Sequence, residues 1–561
     1  MTDIEKSLFP QRTINEFVED IKELIEEVQE LYCLDDIPWC IGYSGGKDST
    51  AVLQLIWNAI AGLAPEKRTK IIHVITTDTL VENPIVSAWV GNSLYQMKVA
   101  AKDSQMPIKP HLLYPDVKDR FWVCLIGKGY PAPRLRFRWC TSRLKINSSE
   151  RFIRELTRSS GQAILILGSR KAESTMRAAR MKKHSSGRVR DHFSSYDSTR
   201  PNTLFYTPIE DWRTDEVWLF LMQWENPWGH SNKDLLSMYR GATADNECPL
   251  VIDTSTPSCG SSRFGCWVCT MVSQDKSMEA MILNDAEKEW MQPLLDIRNE
   301  LDIQNDHDKR DFRRIYGRVE LFERNIGEGE TSVQNIPGPY TKFWREHWLR
   351  RVLQAQTQLR QTAPSEMRDI TLITPEELSE IRRIWLEEKH EFDDSLPKIY
   401  QEVTGEPFED TRPFDERKLL GNDEWDVLQT ICENDTMHLE LMSKLLNTER
   451  QYYTKPRRTG IFLDIDKCFD TSSRIKEEAI DNAHYQRQVK TALETVKEDP
   501  HEIQQIREAI ATIEDPEKSP DTNPKNIKEM IENKGDKNKQ LSWGDMKFPL
   551  LNLINENPIE E

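Results

Sequence analysis

The chain has 561 residues, 75 of them Lys or Arg and 93 Asp or Glu, so the formal net charge is −18, with 38% hydrophobic and 30% charged residues. That length suggests about three to four domains, and the lean apolar fraction places some segments outside any packed core. No apolar run approaches the roughly 20 residues of a membrane span, the N-terminus lacks a basic head followed by an apolar stretch, and ten cysteines are too sparse for disulfide stapling; the expectation is a cytoplasmic protein with reduced thiols and no membrane.

In chain order, residues 1–34 predict a helix. Phe17, Ile21, Leu24, Val28 and Leu31 recur at steps of four and three, one apolar stripe that packs on the helix's own domain. Residues 35–235 alternate short β-rich runs, Trp39–Tyr43, Lys70–Thr76, His111–Leu113 and Ala163–Leu167, with amphipathic helices. This predicts an α/β fold, a mostly parallel sheet covered by helices, which binds ligands at the carboxyl ends of its strands. Residues 236–300 carry the clustered cysteines. Residues 301–489 read as mainly helical, as in Lys342–Leu359 and Thr374–Lys389, and 490–561 as a charged, partly disordered tail with a linker-like Asp515–Lys539.

The sharpest local signal is Ile41-Gly42-Tyr43-Ser44-Gly45-Gly46-Lys47-Asp48-Ser49-Thr50. A buried strand ends at a loop whose glycines let backbone N–H groups approach an anion. Ser44, Ser49 and Thr50 offer hydroxyls, Lys47 adds charge, and the following helix points its positive end at the site. The spacing is not that of a Walker A loop. Ser-Gly-Gly-Lys-Asp-Ser instead resembles the PP-loop of the ATP pyrophosphatase superfamily, and that resemblance implies an adenine nucleotide alpha-hydrolase-like fold and cleavage of ATP between its α and β phosphates. Supporting pieces follow later strands: Thr77-Asp78-Thr79 with Glu82 and Pro84, and Gly168-Ser169-Arg170 with Glu173, Ser174 and Arg177. Both look like segments of the phosphoadenylyl-sulfate reductase branch. Asp211 to Trp218 matches a helix start there, with Thr214 expected as N-cap. Ser44 to Ser49, Thr77, Asp78 and Arg170 are therefore the expected ATP-binding residues, with Arg170 neutralising phosphate.

Charge is unevenly spread. Between Arg134 and Arg190 sixteen Lys and Arg face three acids, a net of +13 in 57 residues, which leaves −31 on the rest of the chain. A solvated face and a polyanion site both fit this block, and charge does not distinguish DNA from RNA. Arg138, Arg143, Lys145, Arg177 and Arg180 are the candidate phosphate contacts. Cys140 lies inside the block, in Arg138-Trp139-Cys140-Thr141-Ser142-Arg143-Leu144-Lys145. Flanking cations favour its thiolate and make it a reactive-sulfur candidate, a buried structural thiol being the alternative. Cys248, Cys259, Cys266 and Cys269 give C-x10-C-x6-C-x2-C, a four-thiolate set that suits structural zinc or an iron–sulfur cluster; spacing alone leaves the two open.

Taken together, the PP-loop, Arg138-Trp139-Cys140, Gly168-Ser169-Arg170 and the stretch from Cys248-Pro249-Leu250 through Asp253-Thr254-Ser255-Thr256-Pro257-Ser258-Cys259 to Cys269 look like the DndC family, the ATP-pyrophosphatase-type sulfurtransferases of bacterial DNA phosphorothioation. The resemblance is close over about residues 35–275 and weaker to about 470. It implies a [4Fe–4S] cluster on the four cysteines, ATP and Mg²⁺ as cofactors, and replacement of a non-bridging DNA phosphate oxygen by sulfur. The implied partners are DNA, a cysteine desulfurase as sulfur donor, an SMC-like ATPase and a small DNA-binding subunit. In the implied chemistry the phosphate oxygen attacks ATP at the α-phosphorus, Lys47 and its neighbours hold the departing pyrophosphate, and Asp48 helps bind Mg²⁺. A persulfide on Cys140 or cluster-bound sulfur then displaces AMP. Competing readings are an SspD-type phosphorothioation protein, a tRNA thiolase using the same adenylation, and a non-catalytic ATP-sensing nucleic-acid scaffold. A phosphoadenylyl-sulfate reductase is disfavoured by the lack of a C-terminal Glu-Cys-Gly.

Overall fold

The computed structural model describes residues 12–135, 137–173, 188–190, 192–194, 202–242, 264–327, 330–411, 422–432, 435–453, 455–472 and 476–496. It begins with α1 (Ile14–Leu34), closed at its N-terminus by a capping box in which Thr13 and Glu16 satisfy each other's backbone N–H groups. Its stripe, Phe17 through Leu31, is buried. There follow β1 (Trp39–Gly42), α2 (Lys47–Ala61), β2 (Ile72–Thr77), α3 (Pro84–Asp103), β3 (Ile108–Leu113), α4 (Asn147–Ser160) and β4 (Ala163–Ile166), then short β5 (Arg188–Arg190), β6 (Phe193–Ser194) and β7 (Thr203–Tyr206).

The seven strands form one sheet in the order β3-β2-β1-β4-β7-β6-β5. The first five are parallel, and β6 and β5 close one edge antiparallel. Ile41 sits opposite Val74 on one side and Ile166 on the other, so β1 is central and its Trp-Cys-Ile run is buried, as a strand covered on both faces must be. One face packs Trp39, Ile41 and Val74 against α1 and α2; the other packs Cys40, Ile75 and Leu165 against Ile153 of α4. Strand order reverses between β1 and β4, which opens a crevice at their carboxyl ends. The expected third run was too short: β3 starts at Ile108 and passes through Pro110. Pro reads as a breaker, but β3 is the edge strand, where a missing N–H removes no ladder bond.

Beyond the sheet come α5 (Thr214–Gln223), α6 (Asn232–Gly241), α7 (Lys276–Asn284), α8 (Gln292–Leu301), the hairpin β8 (Leu321–Gly327) and β9 (Glu330–Asn335), α9 (Lys342–Thr362), α10 (Pro375–Arg383) and α11 (Ser395–Thr404). The hairpin interrupts a stretch expected to be mainly helical. Last are α12 (Asn422–Ile431), α13 (Thr436–Tyr453), α14 (Ile461–Ser472) and α15 (Lys476–Val496). The chain forms two compact units, one drawing its described residues from Met1–Arg310 and Pro339–Asp426, the other from Asp311–Gly338 and Val427–Glu561. In the first, a second core joins α7 to α11 around Trp348, Leu349, Val352 and Leu353. In the second, Arg313 ties the chain before β8 to Glu440 of α13 at 2.9 Å and to the Thr471 carbonyl of α14 at 2.6 Å. No described helix is long and apolar enough to cross a membrane.

Candidate functional site

The crevice between β1 and β4 is lined by the predicted phosphate loop. Gly45 has φ +71°, and a Cβ there would lie 2.4 Å from Val90 Cγ2, so glycine is required for conformation and for space. Gly46 occupies the N-cap position of α2 with no side-chain cap, which leaves first-turn N–H groups to an anion, apart from that of Lys47, which meets the Tyr239 hydroxyl. Ser49 Oγ lies 3.1 Å from Ser44 Oγ and 3.0 Å from the Gly46 carbonyl, to which it donates. Lys47 is buried, its Nζ 3.1 Å from Asp48 Oδ2 and 5.5 Å from the centre of the Tyr239 ring.

Arg170, expected to reach a phosphate, is 1% exposed and turned into the wall. Its Nε donates to Asp48 Oδ1 at 2.7 Å and its guanidinium also reaches the Trp212 carbonyl at 3.1 Å. It fixes the Asp48 carboxylate from the side opposite Lys47. Gly168 makes this approach possible, since a Cβ there would sit 2.8 Å from the Asp48 carbonyl oxygen. Thr214 is not the N-cap of α5. The helix begins at Thr214, Arg213 takes the cap position, and Glu216 accepts the Arg213 N–H at 2.7 Å; the Thr214 hydroxyl instead faces Arg170 at 3.4 Å.

After β2, Thr77 Oγ1 meets Ser149 Oγ at 3.2 Å. Asp78 accepts the N–H of Leu80, and burial, opposed by that bond and aided by Glu82, raises its pKa. Here the cysteines enter. Glu82 and Cys266 form an antiparallel bridge, and the Trp267 N–H donates to the Val81 carbonyl at 2.9 Å. Glu82 Oε1 accepts from Thr79 at 3.0 Å and Lys145 at 3.1 Å, with Cys266 Sγ at 3.7 Å. Cys266 and Cys269 span one tight turn, the Cys269 N–H on the Cys266 carbonyl at 3.0 Å, and both are free thiols. Cys140 is half-buried and close enough to Cys269 for a charge there to raise its pKa. Two thiols on one turn fit a pair of ligands to a soft metal centre. Cys248 and Cys259 lie outside the described residues, as do Arg177 and Arg180.

The expectation that cations favour the Cys140 thiolate fails for a physical reason. Burial pushes the thiol up, and two of the three flanking cations, Arg143 and Lys145, are committed to acids. Arg143 pairs with Asp119 and donates to the Tyr130 hydroxyl. Lys145 serves Glu82; burial pulls its pKa down, but Cys266 and Glu82 outweigh burial and raise it. Arg138 is exposed.

Residues 38–271 match the family of the phosphoadenosine phosphosulfate reductase domain. That segment is a PAPS-reductase-like domain. Among solved structures, a phosphoadenylyl-sulfate (PAPS) reductase from Candida auris in a phosphate complex is similar at 14% identity, covering 38% of this chain and 87% of that one, with a TM-score of 0.23. No curated protein matches the chain. The PAPS-reductase-like domain takes in the phosphate loop, the 78–82 loop, Cys140 and the Cys266–Cys269 turn.

Sequence reasoning missed what joins these parts. Tyr239 of α6 brings its hydroxyl to the Lys47 N–H at 3.4 Å while its ring meets Phe264 edge-on at 4.8 Å, just before the cysteine turn. No motif marks it; it is one aromatic on an amphipathic helix. A second metal-capable group, His192, Glu210 and Asp211, is already compensated, since Lys171 Nζ lies 2.9 Å from Glu210 and 2.6 Å from Asp211.

Proposed function

We propose that this protein splits ATP into AMP and pyrophosphate to activate a phosphate of the DNA backbone, and exchanges one of its non-bridging oxygens for sulfur. The observation that carries the reading is that Cys140, Cys266 and Cys269 gather on the loop after β2, whose Thr76 hydroxyl donates at 2.7 Å to the carbonyl of Tyr43, the residue that opens the phosphate loop. The phosphate loop and the cysteine corner thus lie at the carboxyl ends of two neighbouring parallel strands, β1 and β2.

A phosphodiester oxygen is a poor leaving group, so it must first be made a better one. In the proposed sequence the non-bridging oxygen forms a bond to the α-phosphorus of ATP and the α–β bridging bond breaks. Ser44, Lys47, Ser49 and the loop N–H groups take the charge that develops on pyrophosphate. Asp48, fixed by Arg170, is the carboxylate on which Mg²⁺ would sit, neutralising the triphosphate. The terminal sulfur of a Cys140 persulfide, delivered by a cysteine desulfurase, then bonds to the DNA phosphorus, and AMP departs with the oxygen. A second thiol attacks the Cys140 sulfur, releases the thiolated phosphate and leaves a disulfide for external thiols to reduce. Cys266 and Cys269, with Cys248 and Cys259, would hold a [4Fe–4S] cluster that supplies a sulfur-binding and electron-accepting group. Arg138, Arg177 and Arg180 are the proposed contacts to the DNA backbone, Arg143 and Lys145 being held by Asp119 and Glu82, and the SMC-like ATPase and small DNA-binding subunit the proposed assembly partners.

Mass spectrometry of nuclease-digested DNA from cells with and without the gene tests this. A phosphorothioate dinucleotide that vanishes with the gene supports it; unchanged DNA with loss of a thiolated tRNA base overturns it in favour of base thiolation. In purified protein, Cys140→Ser should keep pyrophosphate release and lose sulfur transfer. Transfer at the wild-type rate would remove Cys140 as the carrier.

A further inference from the structure

We infer that Trp89, on α3, aims the phosphate loop: its indole N–H holds the Gly45 carbonyl and thereby turns the Gly46 N–H toward the bound phosphates. The inference rests on the nucleotide reading of the loop and adds a positioning residue to it.

The argument starts from the peptide plane. In a trans peptide the C=O of one residue and the N–H of the next point in opposite directions. Trp89 Nε1 donates to the Gly45 carbonyl oxygen at 3.2 Å, and Trp89 and Val90 also pack behind Gly45, at 3.4 Å and 2.4 Å from where its Cβ would be. With the oxygen drawn toward α3, the Gly46 N–H faces the other way, into the mouth of the loop. Among the described residues that N–H donates to no protein acceptor, as an anion-binding N–H should.

A Gly-Gly peptide is the one least able to hold this setting unaided. Neither residue has a Cβ, so rotation of the 45–46 peptide meets little steric resistance. The rotated peptide would present a carbonyl oxygen to the phosphates and replace attraction by repulsion. The indole N–H is the group that decides between the two.

Trp89 is itself braced. The His230 ring lies against it with centroids 3.7 Å apart, and His230 is 5% exposed. The His230 N–H donates to Asn226 Oδ1 at 3.3 Å, Asn226 donates to Asn232 at 3.3 Å, and Asn232 donates to Gln54 Oε1 at 3.0 Å. Gln54 lies on α2, the helix that the loop opens. Burial holds the His230 pKa below its ordinary value, so a neutral ring supports the indole at neutral pH.

The test is Trp89→Phe in the full-length protein, which keeps an aromatic ring and deletes the donor. Calorimetric titration with ATP, inorganic pyrophosphate and AMP is the readout, with a thermal melt alongside. One hydrogen bond lost between neutral groups predicts about a three- to tenfold weaker binding of both ATP and pyrophosphate, with AMP unchanged. His230→Ala should give the same pattern at smaller amplitude. Equal binding of all three ligands by wild type and Trp89→Phe overturns the inference, as does equal loss for all three, which would mark general damage. If the wild type binds neither ATP nor pyrophosphate, the proposed function falls with it; if the wild type binds both and the variant matches it, this inference alone falls.

Discussion

The phosphate loop and the cysteine corner occupy one domain but are built in opposite ways. The loop is contiguous: ten residues from one strand end to one helix start, with a positive-φ glycine and a lysine buried to 7% exposure. The corner is assembled from three separate stretches, residues 78–82, 140–145 and 264–269, joined across separations such as the 184 positions from Glu82 to Cys266. A contiguous site can be damaged at one position without moving the rest, whereas an assembled one depends on whatever brings its pieces together. Mutations should therefore separate the two regions unless they strike the link between them.

Tyr239 is that link, and its removal has the largest expected effect. Tyr239→Ala deletes a ring in contact with both Trp218 and Phe264 and should destabilise the domain by about 3–5 kcal/mol, measured by urea unfolding. Alkylation of Cys266 should rise and pyrophosphate release fall together. Tyr239→Phe keeps the ring contacts and loses only the hydroxyl at Lys47, so it should leave Cys266 protected; if it exposes Cys266 as the alanine does, the ring is not the link. Next comes Lys47→Ala. Loss of one charged donor from the loop should slow pyrophosphate release by about 100-fold or more while any metal-centre absorbance at the cysteines persists. Loss of both would show that Lys47 holds the fold instead.

The same contrast explains what the sequence could reveal. The loop was legible because strand, glycines, lysine and helix follow one another, and backbone geometry at such a turn is local. The first four strands of the mostly parallel sheet were legible from alternation, although Pro110 hid the start of β3; β5, β6 and β7, each of two to four residues, are too short for a period-2 pattern to mark. The corner was only half legible. Cys266 and Cys269 announce themselves by spacing, but the fate of the cations around Cys140 depends on acids far away in sequence. Arg143 answers to Asp119 and Lys145 to Glu82, and no periodicity encodes those pairings. Arg170 misled for the same reason: a cation after a strand reads as a phosphate ligand until Asp48 is found 2.7 Å from it. Trp89, Tyr239 and His230 carry no motif, since each acts through one contact that only the folded chain creates.

Gly168 offers a finer cut, because it sits where the contiguous site meets its neighbour strand. Its absent Cβ leaves room for the Asp48 and Ser49 backbone, which a methyl would approach to 2.8 Å and 3.1 Å. Backbone atoms cannot rotate aside, so Gly168→Ala should cost about 1–3 kcal/mol of stability and raise the KM for ATP by displacing the start of α2. A KM change without loss of stability would mean that the β4 end yields more easily than its packing suggests.

The smallest effect tests whether a shifted pKa is itself a mark of a site, as Asp78 and Cys140 tempt one to think. Glu377 caps α10 by accepting the Thr374 N–H at 2.9 Å and is 1% exposed. Burial pushes its carboxyl up to about 7 from 4.5, only partly opposed by Thr374 and Arg120. Among the described residues the thiol near enough to feel its charge is the buried Cys124, which belongs to neither region, and the glycine loop lies elsewhere, so the shift is a property of packing. Its sign is fixed. The folded state holds the proton more tightly than the unfolded chain, so the associated stability is complete below pH 4.5 and is lost as pH rises through 7. Glu377→Gln keeps an acceptor for the Thr374 N–H and has no charge to bury. It should match the wild type at pH 4.5 and exceed it at pH 8 by about 1 kcal/mol, against a ceiling of about 3 set by the shift. Pyrophosphate release should be the same in both at pH 7. A Glu377→Gln protein that is equally stable but slower in that assay would break the division between packing and chemistry on which the two-region comparison rests, because a carboxyl that only packs has no means of reaching the nucleotide.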